Sequence, residues 1–217
     1  MKLLLTSLVI LFMSLPVSAK WVDGYVVDKE GTTIKGKVYL NNHTVKSRSA
    51  YVRDGLFLND YHREVFFKEN GKRKRAYGPE DLREYSFEYK GKFYYFESFE
   101  LEYKSIVKAE RQTDRFLQVM YSGHCKLYRN ISESLYNDGL VRIEPTIDYY
   151  IYNSELGLTM VASVNDYKHL KDILLAYNFD QRYVDGLKKR LNIRDIPQII
   201  IDYELWNEEN RQPVFNT

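Results

Sequence analysis

The stretch WVDGYVVDKEGTTIKGKVYL, residues 21–40, is the part of the sequence that predicts the fold most directly. Its second half alternates between two sets of residues, Ile34, Gly36, Val38 and Leu40 against Lys35, Lys37 and Tyr39. This period of two is typical of a strand with one solvated face. An apolar run over 21–27 precedes it, and the turn-forming segment 28–31 lies between them. The sequence therefore predicts a β-hairpin over residues 21–40.

Aromatic residues extend this β prediction towards the C-terminus. The chain has 20 tyrosines in 217 residues, and sixteen of them precede residue 153. Tyrosine and phenylalanine favour half-buried pleated surfaces. Further strands are predicted at 55–58, 64–68, 84–89, 93–96, 101–107, 116–121, 124–130, 148–152 and 158–162. Residues 132–146 have little pattern and are predicted to form a loop.

After residue 163 the period of the apolar residues changes from that of a strand to that of a helix. Apolar and aromatic residues at 167, 170, 173, 174 and 177 share one helical face. Ser163 or Asn165 is the predicted N-cap of this helix. A second helix is predicted over 181–191 and a third from Pro197 to about Asn207. Because such short helices gain stability by docking, we expect them to pack on the outer aromatic surface of the sheet.

These patterns together predict an α+β protein. An antiparallel β-rich part, barrel or sandwich-like, is expected over residues 20–110. A second strand group and about three C-terminal helices are expected over 111–217, with the helical layer packed on the β-rich part.

The first 19 residues have the features of a secretory signal peptide. Lys2 precedes an apolar run over 3–15, Pro16 follows, and Val17-Ser18-Ala19 offers a cleavage site after Ala19. The run is shorter than the about 20 residues that span a bilayer. We therefore expect an exported protein, periplasmic or secreted, with no transmembrane segment after cleavage.

Composition excludes several classes of protein. Hydrophobic residues make up 44% of the chain, which is typical of a globular protein and not of a disordered one. With 32 basic and 30 acidic residues, the chain has no overall field that would attract nucleic acid. The basic run 72–75 is predicted to be a solvated hairpin tip. Cys125 is the only cysteine, so the chain has no internal disulfide.

The sequence has no common catalytic motif. H-E-x-x-H, C-x-x-C, G-x-G-x-x-G, G-x-S-x-G and the Walker loop are all absent. His124 and Cys125 are adjacent, and neighbours on a strand point to opposite faces, so they are not expected to activate each other. The four histidines, His43, His62, His124 and His169, have no metal-ligand spacing, and no cofactor is predicted. The missing motifs favour a non-catalytic protein, but they do not exclude catalysis.

The remaining binding candidates are aromatic. Tyr94–Tyr95 and Tyr149–Tyr150 are adjacent pairs, so one ring of each should leave the core unless a further layer covers it. Exposed rings of this kind stack on sugar faces or form a partner surface. With His124, these four tyrosines are the candidate binding residues.

The order of several short segments resembles a family of exported, largely uncharacterised β-rich proteins of Bacteroidetes-type bacteria. The segments are Gly24–Val27 leading to Gly31–Gly36, then Tyr77–Leu82, Phe116–Leu117 with Gly123 and Leu127–Tyr128, and finally Tyr167–Leu170. The resemblance covers most of residues 22–177 and implies export and a β-rich body. It implies no reaction.

The expected function is that of an exported, non-catalytic binding or structural module at the bacterial cell envelope, whose partner is an unidentified protein or glycan. Two alternatives stay open. One is a cell-envelope hydrolase that uses scattered acidic residues or His124. The other is a carbohydrate-binding module that uses exposed tyrosines.

Overall fold

The computed structural model describes residues 20–40, 52–53, 56–58, 60–103, 111–137, 141–162, 169–187 and 193–210. The predicted signal peptide and His43 lie outside these residues. The described strands are β1 Lys20–Asp28, β2 Thr33–Leu40, β3 Val52–Arg53, β4 Leu56–Phe57, β5 Val65–Glu69, β6 Arg75–Tyr77, β7 Leu82–Tyr89, β8 Lys92–Tyr103, β9 Arg111–Ser122, β10 Lys126–Asn137, β11 Val141–Asn153 and β12 Gly157–Ala162. The α-helices are α1 Leu170–Ala176, α2 Gln181–Gly186 and α3 Ile196–Asn210.

Ten of these strands form one antiparallel sheet in the order β12-β11-β10-β9-β8-β7-β1-β2-β5-β6. The predicted α+β class and the strand-rich first part of the chain are confirmed. Because the sheet is open, a closed barrel is not supported. Strands from both halves of the chain belong to this one sheet, because β8 pairs with β9.

The hairpin predicted over residues 21–40 is confirmed, and the strands predicted at 84–89 and 93–96 form a second hairpin. β1 and β2 pair from Lys20 with Leu40 to Val27 with Thr33, and Asp28 closes the turn by accepting a 2.7 Å hydrogen bond from the Thr32 amide. The β7–β8 hairpin turns at Lys90 and Gly91, whose φ angles are 52° and 69°. Two successive positive φ angles define the turn that matches the twist of a two-residue hairpin.

The prediction of a loop over residues 132–146 is wrong. β10 continues to Asn137 and β11 begins at Val141, and the two strands pair without interruption from Lys126–Tyr152 to Asn137–Val141. Long-range pairing orders this segment even though its own sequence has little alternation.

The helices begin and end at different residues from those predicted. The proposed caps of α1, Ser163 and Asn165, lie outside the described residues. α2 is capped by the Asp180 side chain, which accepts a hydrogen bond from the Arg182 amide, and it ends at Gly186 because Leu187 is extended. α3 is longer than predicted and has Pro197 in its first turn, where a missing N–H costs nothing. No helix in the described ranges is both long and apolar enough to cross a membrane.

One face of the sheet, here called the core face, is covered by two separate structures. The segment between β4 and β5, with Leu58 and Tyr61, packs over β1, β7, β8 and β9. The three helices pack over β10, β11 and β12, where Leu127, Tyr149 and Ile151 are buried beneath them. The register places Phe96, Gln118, Arg129 and Tyr149 side by side across the sheet, on this one face. The helices therefore extend the core face, and the expectation that they dock on an outer aromatic surface is wrong.

Candidate functional site

The opposite side of the sheet, here called the outer face, carries a row of aromatic and acidic side chains on β8. Phe93, Tyr95, Glu97 and Phe99 are two residues apart and therefore point to the same side. Phe93 is 63% exposed and Tyr95 is 43% exposed. Their rings lie nearly parallel, with centroids 6.1 Å apart. This places two flat apolar rings side by side in solvent.

Two carboxylates face each other next to this row. The register places Glu84 of β7 directly opposite Glu97 of β8. Like charges in that position destabilise a sheet unless other groups compensate them. Lys126 compensates Glu97, with its Nζ atom 2.8 Å from Oε1, and the Tyr128 hydroxyl donates to Oε2 at 2.6 Å. Both oxygens of Glu97 are therefore engaged.

Glu84 is less fully bonded than Glu97. Its Oε1 accepts a long hydrogen bond of 3.3 Å from the Tyr25 hydroxyl. Burial and the Glu84 carboxylate raise the pKa of Tyr25 to about 12. Burial and the bond to Glu97 also raise the pKa of Tyr128. Both phenols therefore stay protonated at neutral pH and act as hydrogen-bond donors.

These residues line two adjoining depressions on the outer face. The first has a volume of about 300 Å³ and includes Tyr25, Tyr95 and Val119 in its lining. The second has a volume of about 470 Å³ and includes Lys29, Arg83, Phe99 and Tyr152. Glu84, Glu97 and Lys126 line both depressions. The two are shallow and share a polar centre, so we describe them together as the outer-face site.

The outer-face site combines ring surfaces with closely spaced hydrogen-bonding groups of both kinds. Carboxylate oxygens accept, whereas phenol hydroxyls and the Lys126 ammonium donate. Across the described ranges, no group of three or more His, Cys, Asp or Glu side chains is placed to hold a metal ion. The chemistry that this arrangement supplies is recognition of a ligand with both apolar and polar surfaces.

The predicted tyrosine pairs have different environments. Tyr94 is buried in the core, where its ring stacks on Phe87 with centroids 5.1 Å apart, and Tyr95 lies in the outer-face site. Tyr149 is buried beneath the helices, whereas Tyr150 is buried on the outer face beside Leu117 and Tyr128. Only Tyr95 of these four belongs to the candidate site.

His124 lies outside this site and holds the helices to the sheet. Its Nε2 atom is 2.9 Å from the carbonyl oxygen of Tyr177, and its backbone N–H donates to Glu204 of α3. Its ring also contacts Phe179 and Tyr203 edge to face. Such contacts are those of a structural residue between two layers.

Cys125 is buried beside His124, and burial raises the pKa of its thiol to about 12. The thiolate is the nucleophilic form of cysteine, so this side chain is unreactive near neutral pH.

A second polar group is buried on the core face, beneath the segment that precedes β5. His62 is fully buried, and its Nδ1 atom is 2.6 Å from the Phe116 carbonyl oxygen. Burial lowers the pKa of His62 to about 3, with a smaller contribution from Arg129 and Arg115. Arg129 donates to Gln118 at 2.5 Å. His62 and Arg129 are therefore each held inside the core by one of these contacts.

Most of the outer-face site could not be located from the sequence. Tyr25, Glu84, Glu97, Lys126 and Tyr128 come from four strands, β1, β7, β8 and β10, of which only β7 and β8 are consecutive. The alternation of Phe93, Tyr95 and Glu97 was the available signal for the β8 row, whereas strand register decides which residues lie opposite them.

Comparison with known proteins finds no relative of this chain. No family model matches it, and no significant match is found among the curated proteins or the solved structures.

Proposed function

We propose that this protein is an exported, non-catalytic binding module that holds a carbohydrate on its outer face. The observation that carries the proposal is the outer-face site, where exposed rings adjoin a cluster of hydrogen-bonding groups. The export signal at residues 1–19 supports a role at the cell envelope.

The site fits the two surfaces of a sugar. The flat C–H face of a pyranose ring packs on an aromatic ring, and Phe93 and Tyr95 offer such rings in solvent. Sugar hydroxyls both donate and accept hydrogen bonds, and the site offers acceptors on Glu84 beside donors on Tyr25 and Lys126. A purely apolar ligand would leave these polar groups desolvated, which is costly.

A binding role is favoured over a catalytic one by the contacts of Glu97. Its two oxygens accept from Lys126 and Tyr128, and these contacts fix the carboxylate in place as a hydrogen-bond acceptor. His124, the other catalytic alternative, is bonded to Tyr177 and lies in the contact between sheet and helices.

The second candidate is a glycoside hydrolase, and the position of Glu84 opposite Glu97 is the observation that favours it. Glycosidases use two carboxylates held about 5–10 Å apart. Release of reducing sugar from a bound glycan, abolished by Glu84→Gln, would favour this candidate over a binding module.

The proposal is tested by screening the purified chain on a glycan array and measuring each hit by isothermal titration calorimetry. Tyr95→Ala is expected to weaken binding about five- to thirtyfold, since a lost aromatic stack costs on the order of 1–2 kcal/mol. Leu205→Ala is the matched control, because Leu205 is 59% exposed but lies on α3. An equal effect of the two substitutions, or no glycan bound at all, would contradict the proposal.

A further inference from the structure

The larger of the two depressions is lined by more cations than carboxylates. It is lined by three cations and two carboxylates, namely Lys29, Arg83, Lys126, Glu84 and Glu97. Lys126 and Glu97 form an ion pair at 2.8 Å. This leaves two cations against the single carboxylate of Glu84.

Of the three cations in this depression, Lys29 and Arg83 form no ion pair with a described acidic residue. The Nζ atom of Lys29 donates to the hydroxyl of Ser98 at 3.0 Å, and no carboxylate lies within 4 Å of it in the described structure. Arg83 forms no ion pair with the described acidic side chains, and its guanidinium lies beside Gly31 in the β1–β2 turn. Lys29 is flanked in the chain by two acids, Asp28 and Glu30, and neither forms an ion pair with it; Asp28 accepts a hydrogen bond from the Thr32 amide.

The two cations stand at one end of an aromatic surface. Phe99 and Tyr152 line the same depression, and their ring centroids are 5.9 Å apart. A ligand that packs on these rings would bring its substituents within reach of a guanidinium and an ammonium. Guanidinium and ammonium groups bind carboxylates and sulfates through charge-assisted hydrogen bonds, which are about twice as strong as neutral ones.

From this placement, and resting on the proposed function, we infer that the carbohydrate is acidic and that Lys29 and Arg83 bind its anionic group. The shared chemistry is a negatively charged substituent on a sugar ring, either the carboxylate of a uronic acid or a sulfate ester. The first depression, with Tyr25 and Tyr95, receives a neutral part of the same chain of sugars.

The test compares acidic and neutral forms of the same glycans by isothermal titration calorimetry with the full mature chain. One arm uses oligogalacturonate and its methyl ester, and the other uses a sulfated galactan oligosaccharide and its desulfated form. We expect the acidic member of one pair to bind at least about tenfold more tightly, as one charge-assisted contact predicts. Its affinity should also fall as salt is raised. The arm that shows this preference identifies the anionic group.

The double variant Lys29→Gln/Arg83→Gln is expected to lower the ratio of the acidic to the neutral affinity from at least about tenfold to about one. Arg63→Gln/Lys68→Gln is the matched control, because it removes the same charge from exposed residues that do not line the depression. Retention of the preference in the first variant would overturn the inference.

Failure of the inference and failure of the proposed function give different results. Equal affinity for acidic and neutral forms, with both weakened by Tyr95→Ala, would overturn the acidic ligand and leave the carbohydrate-binding module intact. No binding of either form would overturn both.

Discussion

At the scale of single residues, two buried ionisable side chains have opposite effects on the pH dependence of stability. His62 has a folded-state pKa of about 3, below its usual 6.5, because burial favours the neutral ring. Asp148 has a folded-state pKa of about 6, above its usual 3.8, because burial favours the protonated acid. His62 therefore stabilises the fold less as pH falls below 6.5, whereas Asp148 stabilises it more as pH falls below 6.

Asp148→Asn is expected to separate these two effects. Between pH 6 and 4 the folded protein binds a proton at Asp148, and the unfolded chain binds one at His62, so the two contributions offset each other. In the variant only the His62 contribution remains, and the free energy of unfolding should fall by about 1.4 kcal/mol more per pH unit than in the wild type. Urea unfolding at pH 6, 5 and 4 measures the difference. Parallel pH profiles for the two proteins would show that Asp148 is not protonated in the fold.

At the scale of secondary-structure elements, the β7–β8 turn has a strict backbone requirement. Gly91 adopts φ = 69°, where a side chain costs about 1 kcal/mol or more. Gly91→Ala should therefore lower the free energy of unfolding by about that amount. Gly186→Ala is the control, because a Cβ atom there meets nothing within 4 Å and alanine favours the helix. Thermal unfolding of both variants checks this, and a stabilising effect of Gly91→Ala would contradict the assigned turn.

The contact between the helices and the sheet depends on the Tyr177 hydroxyl. It donates to the Gly157 carbonyl oxygen at 2.9 Å and can accept from the Thr159 hydroxyl, which is 2.8 Å away, while its ring is buried. Tyr177→Phe keeps the ring and removes these bonds, so we expect a loss of about 1–2 kcal/mol in urea unfolding. Tyr203→Phe, whose hydroxyl has longer bonds of 3.1 and 3.4 Å, should lose less. The reverse order of the two losses would argue against this anchoring role for Tyr177.

The elements differ in how much the sequence predicts of them. The hairpin over 21–40 follows from alternation and turn residues that lie close together in the chain. The strands over 132–146 do not follow from a local pattern, because pairing between the two strands determines their structure. Likewise, adjacency shows that Tyr149 and Tyr150 point to opposite faces, but it does not show that Tyr150 is covered by its neighbours. The sequence therefore predicts local elements, but it does not determine the strand register or which side chains are covered by neighbouring residues.

At the scale of the whole molecule, the two faces of the sheet have different roles. The segment before β5 covers the core face over β1, β7, β8 and β9, and the three helices cover it over β10, β11 and β12. The outer face presents Phe93 and Tyr95 to solvent, next to Glu84, Glu97 and Lys126. The core face stabilises the fold, and the outer face is where the proposed binding module would hold its ligand.

Ligand binding on the outer face is tested most directly by hydroxyl-radical footprinting of the full mature chain, with and without a saturating glycan identified on the array. Protection of Phe93 and Tyr95, with Leu205 and Trp206 of α3 unchanged, is the result expected for binding at the outer-face site. Protection confined to the helices, with Phe93 and Tyr95 equally reactive in both states, would contradict it.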